Sequence, residues 1–135
     1  MGNGAEAVKT RWIPGAVSAT SRRMEMSAEA VTELLADCGL QAVEWSENVH
    51  VAPGDPEGAS ILRRKTEAAG LQVAAYGSYY RLGEQADPVR VFSESLASAS
   101  ALCAPVIRIW AGTQPSDAVD DAAFHALAQE AAQIA

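Results

Sequence analysis

The sequence predicts an α/β fold with parallel strands, on the strength of two observations. Three segments, LLADCGLQAVEW, TEAAGLQVAAYG and ASALCAPVIRIWAG, can be laid over one another, and each is typical of a helix end that runs directly into a strand. Strand and helix patterns alternate four times along the chain at a spacing of roughly thirty residues. This alternation implies parallel strands that are joined by right-handed crossovers.

Four helices are predicted from apolar residues at helical spacing together with start and stop signals. The first three begin with a side chain that can accept from the free N–H groups of the first turn, and in two of them Pro follows that residue. Glycine or proline ends these helices. The fourth predicted helix carries Phe124 and Leu127 on one face. The signals are Ser27, Asp55-Pro56 and Asp87-Pro88 at the starts, and Gly39, Gly70 and Pro105 at the ends.

Four short runs bounded by Gly or Pro are predicted to be strands. They cover residues 13–20, 40–45, 71–77 and 105–111. The joints from helix to strand are nearly absent, whereas the segments after the later strands are long. Long loops on one side of an α/β scaffold indicate a site at the carboxyl ends of the strands.

Two architectures fit this alternation: a small doubly wound sheet of the flavodoxin or receiver type, and the first four βα units of a TIM (β/α)8 barrel. A receiver would carry acidic residues at the end of its first strand, and residues 16–20 contain none. A flavodoxin would carry a phosphate loop there, for which SATS at 18–21 is a weak candidate. We therefore predict a half-barrel in residues 13–135, preceded by a flexible segment in residues 1–12.

The composition excludes several classes of function. The chain of 135 residues is 49% apolar, which is enough to bury the core of about one domain. Its net charge of −7 argues against binding to nucleic acid or to an anionic membrane. The two cysteines lack paired spacing, and we expect both to be buried, reduced thiols. Because no run resembles a secretory leader or a membrane span, we expect a cytoplasmic protein.

Alternation along the predicted strands places a few side chains in the barrel interior. In VIRIW the isoleucines face the helices, which leaves Arg108 and Trp110 inside. By the same rule, Glu44 and Tyr76 point inward from the second and third strands. Because alternate strands share side-chain layers, we expect Glu44 and Arg108 to pair. Such a pair is either a structural feature of the interior or a carboxylate that orients substrate or transfers a proton.

Further candidates lie in the predicted loops after the strands. An imidazole at His50 could bind a ligand or transfer a proton, or simply pack in its loop. Tyr79, Tyr80 and Arg81 crowd the predicted loop after the third strand. Aromatic rings there suit the stacking of a sugar, and packing against neighbouring side chains is the alternative.

Four motifs resemble those of the sugar phosphate isomerase/epimerase family, within the xylose-isomerase-like TIM barrel superfamily. They are GLQAVEW at 39–45, VHVAPGD at 49–55, AAYGSYY at 74–80 and VIRIWAG at 106–112. The resemblance implies a (β/α)8 barrel that interconverts ketoses and aldoses, or epimers, by metal-assisted proton transfer next to a carbonyl. It implies Glu44 and His50 as catalytic residues, and Tyr79, Tyr80, Arg108 and Trp110 as substrate-binding residues.

The resemblance also implies a divalent metal, Mn, Mg or Zn, for the complete barrel. Its ligands in the family are two Glu, an Asp and a His on later strands, and none of those positions matches a residue of this chain. We therefore expect no metal on this chain alone. Its expected ligand is a small sugar or sugar phosphate.

Three classes of function follow. The first is a sugar or sugar-phosphate isomerase/epimerase, present as a partial chain, and the second is a non-catalytic half-barrel or interaction module. The third is a metal-dependent endonuclease, which the acidic charge and the lack of suitable histidines disfavour. A half-barrel leaves two strand edges unpaired, so we expect either a homodimer or a poorly stable monomer.

Overall fold

Four parallel strands form one sheet in the order β1-β2-β3-β4 in the computed structural model, which describes residues 12–135. Helices connect successive strands and confirm the predicted α/β class. The strands are β1 (Gly15–Val17), β2 (Ala42–Ser46), β3 (Gln72–Arg81) and β4 (Ile107–Trp110). The helices are α1 (Ala28–Asp37), α2 (Pro56–Ala68), α3 (Pro88–Ala101) and α4 (Asp121–Ile134), and short 3-10 segments cover Ser18–Met24 and Ser116–Ala118. Apart from Trp12, the predicted flexible segment lies outside the described residues.

The predicted caps form at the starts of the first three helices. The Ser27 hydroxyl accepts from the N–H of Ala30 at 3.2 Å, and the carboxylates of Asp55 and Asp87 cap α2 and α3 in the same way. Asp120, which the sequence analysis did not single out, caps α4. These side chains satisfy donors that a helix leaves unpaired in its first turn.

One face of the sheet is covered by the helices and contains the main core. Val43 and Trp45 of β2 pack there against Leu35 of α1 and Leu62 of α2. Trp45 is fully buried, and its indole N–H donates to the Thr66 hydroxyl of α2 at 3.0 Å.

Tyr76 also belongs to this core, and the prediction that it points into the barrel interior was wrong. Its register partner on β2 is Trp45, and partners in a parallel pair project to the same side of the sheet. Because Trp45 faces the helices, Tyr76 faces them too.

Two strand predictions need correction in their extent. The third strand extends to Arg81, through residues that were predicted to form a loop. Arg81 pairs there with Trp110 of β4, beyond an irregularity in the register. The first strand is shorter than predicted, since a 3-10 segment begins at Ser18. The two cysteines, Cys38 and Cys103, are free, but the prediction that they are buried was wrong: both are exposed, in the turns that follow α1 and α3.

The strand order follows the chain order without a reversal. Doubly wound sheets reverse their order at a switch point, where the helices change from one face to the other. Here each strand neighbours the next one along the chain, so crossovers of the usual right hand place all the helices on one face. Within residues 12–135, the outer edges of β1 and β4 pair with no further strand.

Candidate functional site

The side of the sheet away from the helices, which we call the open face, carries the predicted pair. Arg108 on β4 donates from Nε and Nη2 to Oε1 of Glu44 on β2, at 3.0 and 2.9 Å. The Glu44 side chain is 16% exposed and that of Arg108 is 41% exposed. The predicted pairing of Glu44 with Arg108 is therefore confirmed, across the strand that separates them.

Gly77 on β3 makes this pairing possible. It lies beside Arg108 in the register of the sheet. A Cβ atom at this position would lie 2.5 Å from Oε1 of Glu44 and 2.9 Å from Nη2 of Arg108. Both distances are shorter than real contacts of a Cβ atom, so glycine leaves the space in which the two charged groups meet, and any other residue would require their ends to move.

Trp110 completes the open face next to Arg108. The guanidinium carbons of Arg108 and Arg81 lie 5.4 and 5.0 Å from the centre of its ring. Arg81 is also held by the carbonyl of Gly112, which accepts from its Nη1 at 2.8 Å. Trp110 remains 41% exposed, so part of this residue reaches solvent beside the two guanidinium groups.

Tyr79 and Arg22 form a second contact between an aromatic ring and a guanidinium, at the carboxyl edge of the sheet. The guanidinium of Arg22 lies 5.1 Å from the centre of the Tyr79 ring and also donates to its hydroxyl. Arg22 belongs to the 3-10 segment after β1, which is tied to β2 because the Ser18 hydroxyl accepts from the N–H of Ser46 at 2.9 Å.

Glu47, which sequence reasoning missed, positions Tyr79. Although charged, it is only 6% exposed. Its Oε2 accepts from the N–H of Tyr79 at 2.8 Å and from the Ser95 hydroxyl at 3.3 Å, beside a cavity of about 150 Å³. No local pattern marks it, because its neighbours in SENVH are typical of a solvated loop. The donors that satisfy its carboxylate come from β3 and α3, which are distant in sequence.

The same carboxylate affects the buried hydroxyl of Tyr76. Burial raises the pKa of Tyr76 above its ordinary value, and the negative charge of Glu47 raises it further. Tyr76 therefore stays a neutral core residue at physiological pH.

Two of the predicted site residues lie away from the open face. His50 packs edge-on against Trp45 on the helix side, and its Nε2 lies 3.0 Å from the carbonyl oxygen of Met26. Tyr80 is buried against α3 and α4, and its hydroxyl donates to Glu130 of α4 at 2.6 Å. Burial, together with the hydrogen bond and charge of Glu130, raises the pKa of Tyr80. The structure thus brings together Glu44, Arg108 and Trp110, with Tyr79 at the edge, and separates His50 and Tyr80 from them.

The described residues do not make up the metal site that the family resemblance implies. In residues 12–135, no three His, Cys, Asp or Glu side chains come together in a group that could hold a metal ion. The carboxylate of Glu44, the acidic group on the open face, is bound to Arg108 through two hydrogen bonds. The face is suited to binding a polar ligand through charge and stacking.

The comparisons with known proteins add no further assignment. Neither the models of protein families nor the curated proteins give a match to this chain. No helix within the described part of the chain has both the length and the apolar character that crossing a membrane requires.

Proposed function

We propose that the open face binds a sugar or sugar phosphate, as the substrate-binding half of an isomerase/epimerase of the sugar phosphate isomerase type. One observation carries this proposal. Glu44 holds the guanidinium of Arg108 in the space left by Gly77, and the guanidinium lies against the part-exposed ring of Trp110. An aromatic ring can stack on the apolar face of a sugar while charged groups beside it bind the hydroxyls or the phosphate.

Each group has a distinct part in this binding. The two bonds from Arg108 end on Oε1 of Glu44, so Oε2 can accept from a sugar hydroxyl. The guanidinium of Arg108 has further N–H donors, and Arg81, which also pairs with Glu84 at 3.6 Å, places a second guanidinium within reach of the same ring. The ligand that satisfies this set carries hydroxyl donors and a negative charge, as a sugar phosphate does.

The proposal makes the four strands one half of a (β/α)8 barrel. The sequential order, the parallel direction and the placement of the helices on one face support it. In a closed barrel the open face becomes the interior, and the carboxyl ends of the strands form the mouth of the site. Trp110, the last residue of β4, then lies at that mouth.

Turnover requires more than the described residues supply. Interconversion of a ketose and an aldose moves a proton between carbons next to a carbonyl, and a carboxylate such as Glu44 is a suitable proton carrier. In the proposed enzyme the divalent metal and its ligands belong to the other half of the barrel. We therefore expect this chain to bind the sugar phosphate without converting it.

Calorimetric titration of the purified chain tests the proposal. The probes are D-fructose 6-phosphate, D-fructose and inorganic phosphate, each with and without Mn²⁺, together with an isomerisation assay on the same sample. We expect fructose 6-phosphate to bind more tightly than either component, because the sugar stacks on Trp110 and the phosphate meets the guanidinium groups.

Variants locate the binding. Trp110→Leu and Arg108→Gln should each weaken it by about tenfold, the size expected for a central aromatic or arginine contact. Arg90→Gln, an exposed arginine on α3, is the matched control and should bind normally. Equal affinities of all three variants would place any binding elsewhere, and turnover by the isolated chain would refute the assignment of catalysis to the missing half.

The second candidate, a non-catalytic half-barrel module, is favoured by the two strand edges that residues 12–135 leave unpaired. The same titration separates the two. A chain that associates with a protein partner and binds none of the three probes is a module, whereas phosphate-sugar binding that depends on Trp110 supports the enzyme half.

A further inference from the structure

Both ends of the sheet expose strand edges to solvent within residues 12–135. The outer edges of β1 and β4 each carry unpaired backbone donors and acceptors. Open edges are templates for pairing with another strand, and proteins normally cover or close them. Eight parallel strands are the number that closes into a packed barrel.

The exposed apolar side chains are concentrated at these same two ends. On the β1 side, Val17, Met24 and Leu34 line an apolar cavity of about 150 Å³ between the 3-10 segment and α1. On the β4 side, α4 has no buried residue, and its Phe124 is 63% exposed. Eight of the twelve exposed large apolar residues belong to the first or the last βα unit. They are Trp12, Ile13, Val17, Met24 and Leu34 at one end, and Val106, Trp110 and Phe124 at the other.

The charges next to the two edges differ in net sign. Arg22, Arg23 and Glu25 lie in and directly after the segment that follows β1, whereas Asp117, Asp120 and Asp121 lie in and after the segment that follows β4. All six are exposed. Because both segments leave the carboxyl ends of parallel strands, they lie at the same level along the strand direction. An edge of β4 placed beside an edge of β1 would therefore bring the aspartates next to the arginines.

We propose that a second copy of this chain docks on these edges, with β1 of each copy beside β4 of the other. A two-fold axis along the strand direction keeps all eight strands parallel and closes both edges at once. The acidic segment after β4 then meets Arg23 of the second copy, and Phe124 is covered against its first βα unit. This assembly is that of the 135-residue chain by itself: the second copy occupies the edges that belong to the other half of the barrel in the proposed function, and sugar binding by the open face is measured independently of it.

Sedimentation velocity on the full chain tests the assembly. We expect a dimer at about 100 μM protein that dissociates on dilution. Raising NaCl from about 0.05 M to about 0.5 M should weaken it, because the arginine and aspartate contacts are screened. A monomer at this concentration and low salt overturns the proposal. The proposal is overturned equally if another segment of a longer chain covers the edges.

Two sets of variants identify the surfaces. Phe124→Glu should weaken the dimer by at least about tenfold, whereas Val89→Glu, which adds the same charge at an exposed apolar residue of the middle helix α3, should leave it unchanged. Arg23→Glu should weaken dimerisation, and adding Asp117→Arg in the same chain should restore it, because the contact is remade with its charges exchanged. Circular dichroism checks that each variant is folded.

The outcomes distinguish this proposal from the proposed function. Equal weakening by Phe124→Glu and Val89→Glu would refute docking through α4, and failure of the exchanged pair to restore the dimer would refute the contact between the charged segments. A monomer that still binds fructose 6-phosphate through Trp110 overturns the dimer alone. A dimer that binds none of the probes overturns the sugar site alone.

Discussion

Replacing Gly77 by Ala should destabilise the protein, although the same change in an unobstructed strand would be neutral or favourable. The new Cβ would lie 2.5 Å from Oε1 of Glu44 and 2.9 Å from Nη2 of Arg108, so the charged pair must separate. Overpacking typically costs about 1–3 kcal/mol. Alanine regains about 0.5–1 kcal/mol through the lower entropy of the unfolded chain.

The lost ion pair adds only modestly to this cost, since the Arg108 side chain is 41% exposed and solvent screens the interaction. Because the obstructing atoms are the ends of flexible side chains that can move aside, we expect the free energy of unfolding to fall by no more than about 1 kcal/mol. Urea unfolding measures this change, with the fluorescence of the buried Trp45 as the signal.

A second background provides the control for this prediction. In a Glu44→Ala, Arg108→Ala chain both obstructing side chains are gone, so Gly77→Ala should become neutral or stabilising by up to about 1 kcal/mol. This reversal of sign is the specific signature of the contact. A Gly77→Ala protein at least as stable as the parent would refute the account of why β3 carries glycine here.

Three further predictions concern contacts away from the open face. Thr66→Val leaves the buried indole N–H of Trp45 without its acceptor and should cost about 1–3 kcal/mol in urea unfolding, while Thr66→Ser should retain most of the stability. Glu130→Ala removes the acceptor that holds α4 to the end of β3, so hydrogen exchange of the α4 amides should quicken while that of α2 is unchanged. Hydrogen bonds, chiefly from Lys65, lower the pKa of Glu29 to about 2. The ionised Glu29 therefore contributes stability at pH values above its ordinary pKa, and this contribution is lost as the pH falls from the ordinary pKa through 2. Carboxyl resonances followed by NMR should show this low midpoint, and Lys65→Met should raise it; a midpoint that Lys65→Met leaves unmoved would contradict the assigned cause.

Local signals accounted for the helices and for one pair in the site. Capping by Ser27, Asp55 and Asp87 acts within four residues of the chain, so the sequence contains all the information that it needs. The pairing of Glu44 with Arg108 was also predictable. A charged residue in an apolar strand identifies which alternate positions avoid the helix-covered core.

The same alternation failed where the strand carries no polar marker. In AAYG, the alternating positions are all apolar or small, and the side that Tyr76 takes depends on its register with Trp45. The length of β3 likewise depends on the pairing of Arg81 with β4. Pairing between strands is a property of residues about thirty positions apart, and no local pattern contains it.

What the sequence by itself determined is the class of the fold, the four helices with the caps of the first three, and the two charged residues that meet on the open face. Each depends on short-range chemistry or on the two-residue period of a strand. Only the tertiary structure decided that Gly77 makes room for the ion pair, that Glu47 is buried beneath Tyr79, and that His50 and Tyr80 lie elsewhere. The physical reason is that these features arise from atoms brought within a few ångströms by sheet register and helix packing, which are set by the chain as a whole.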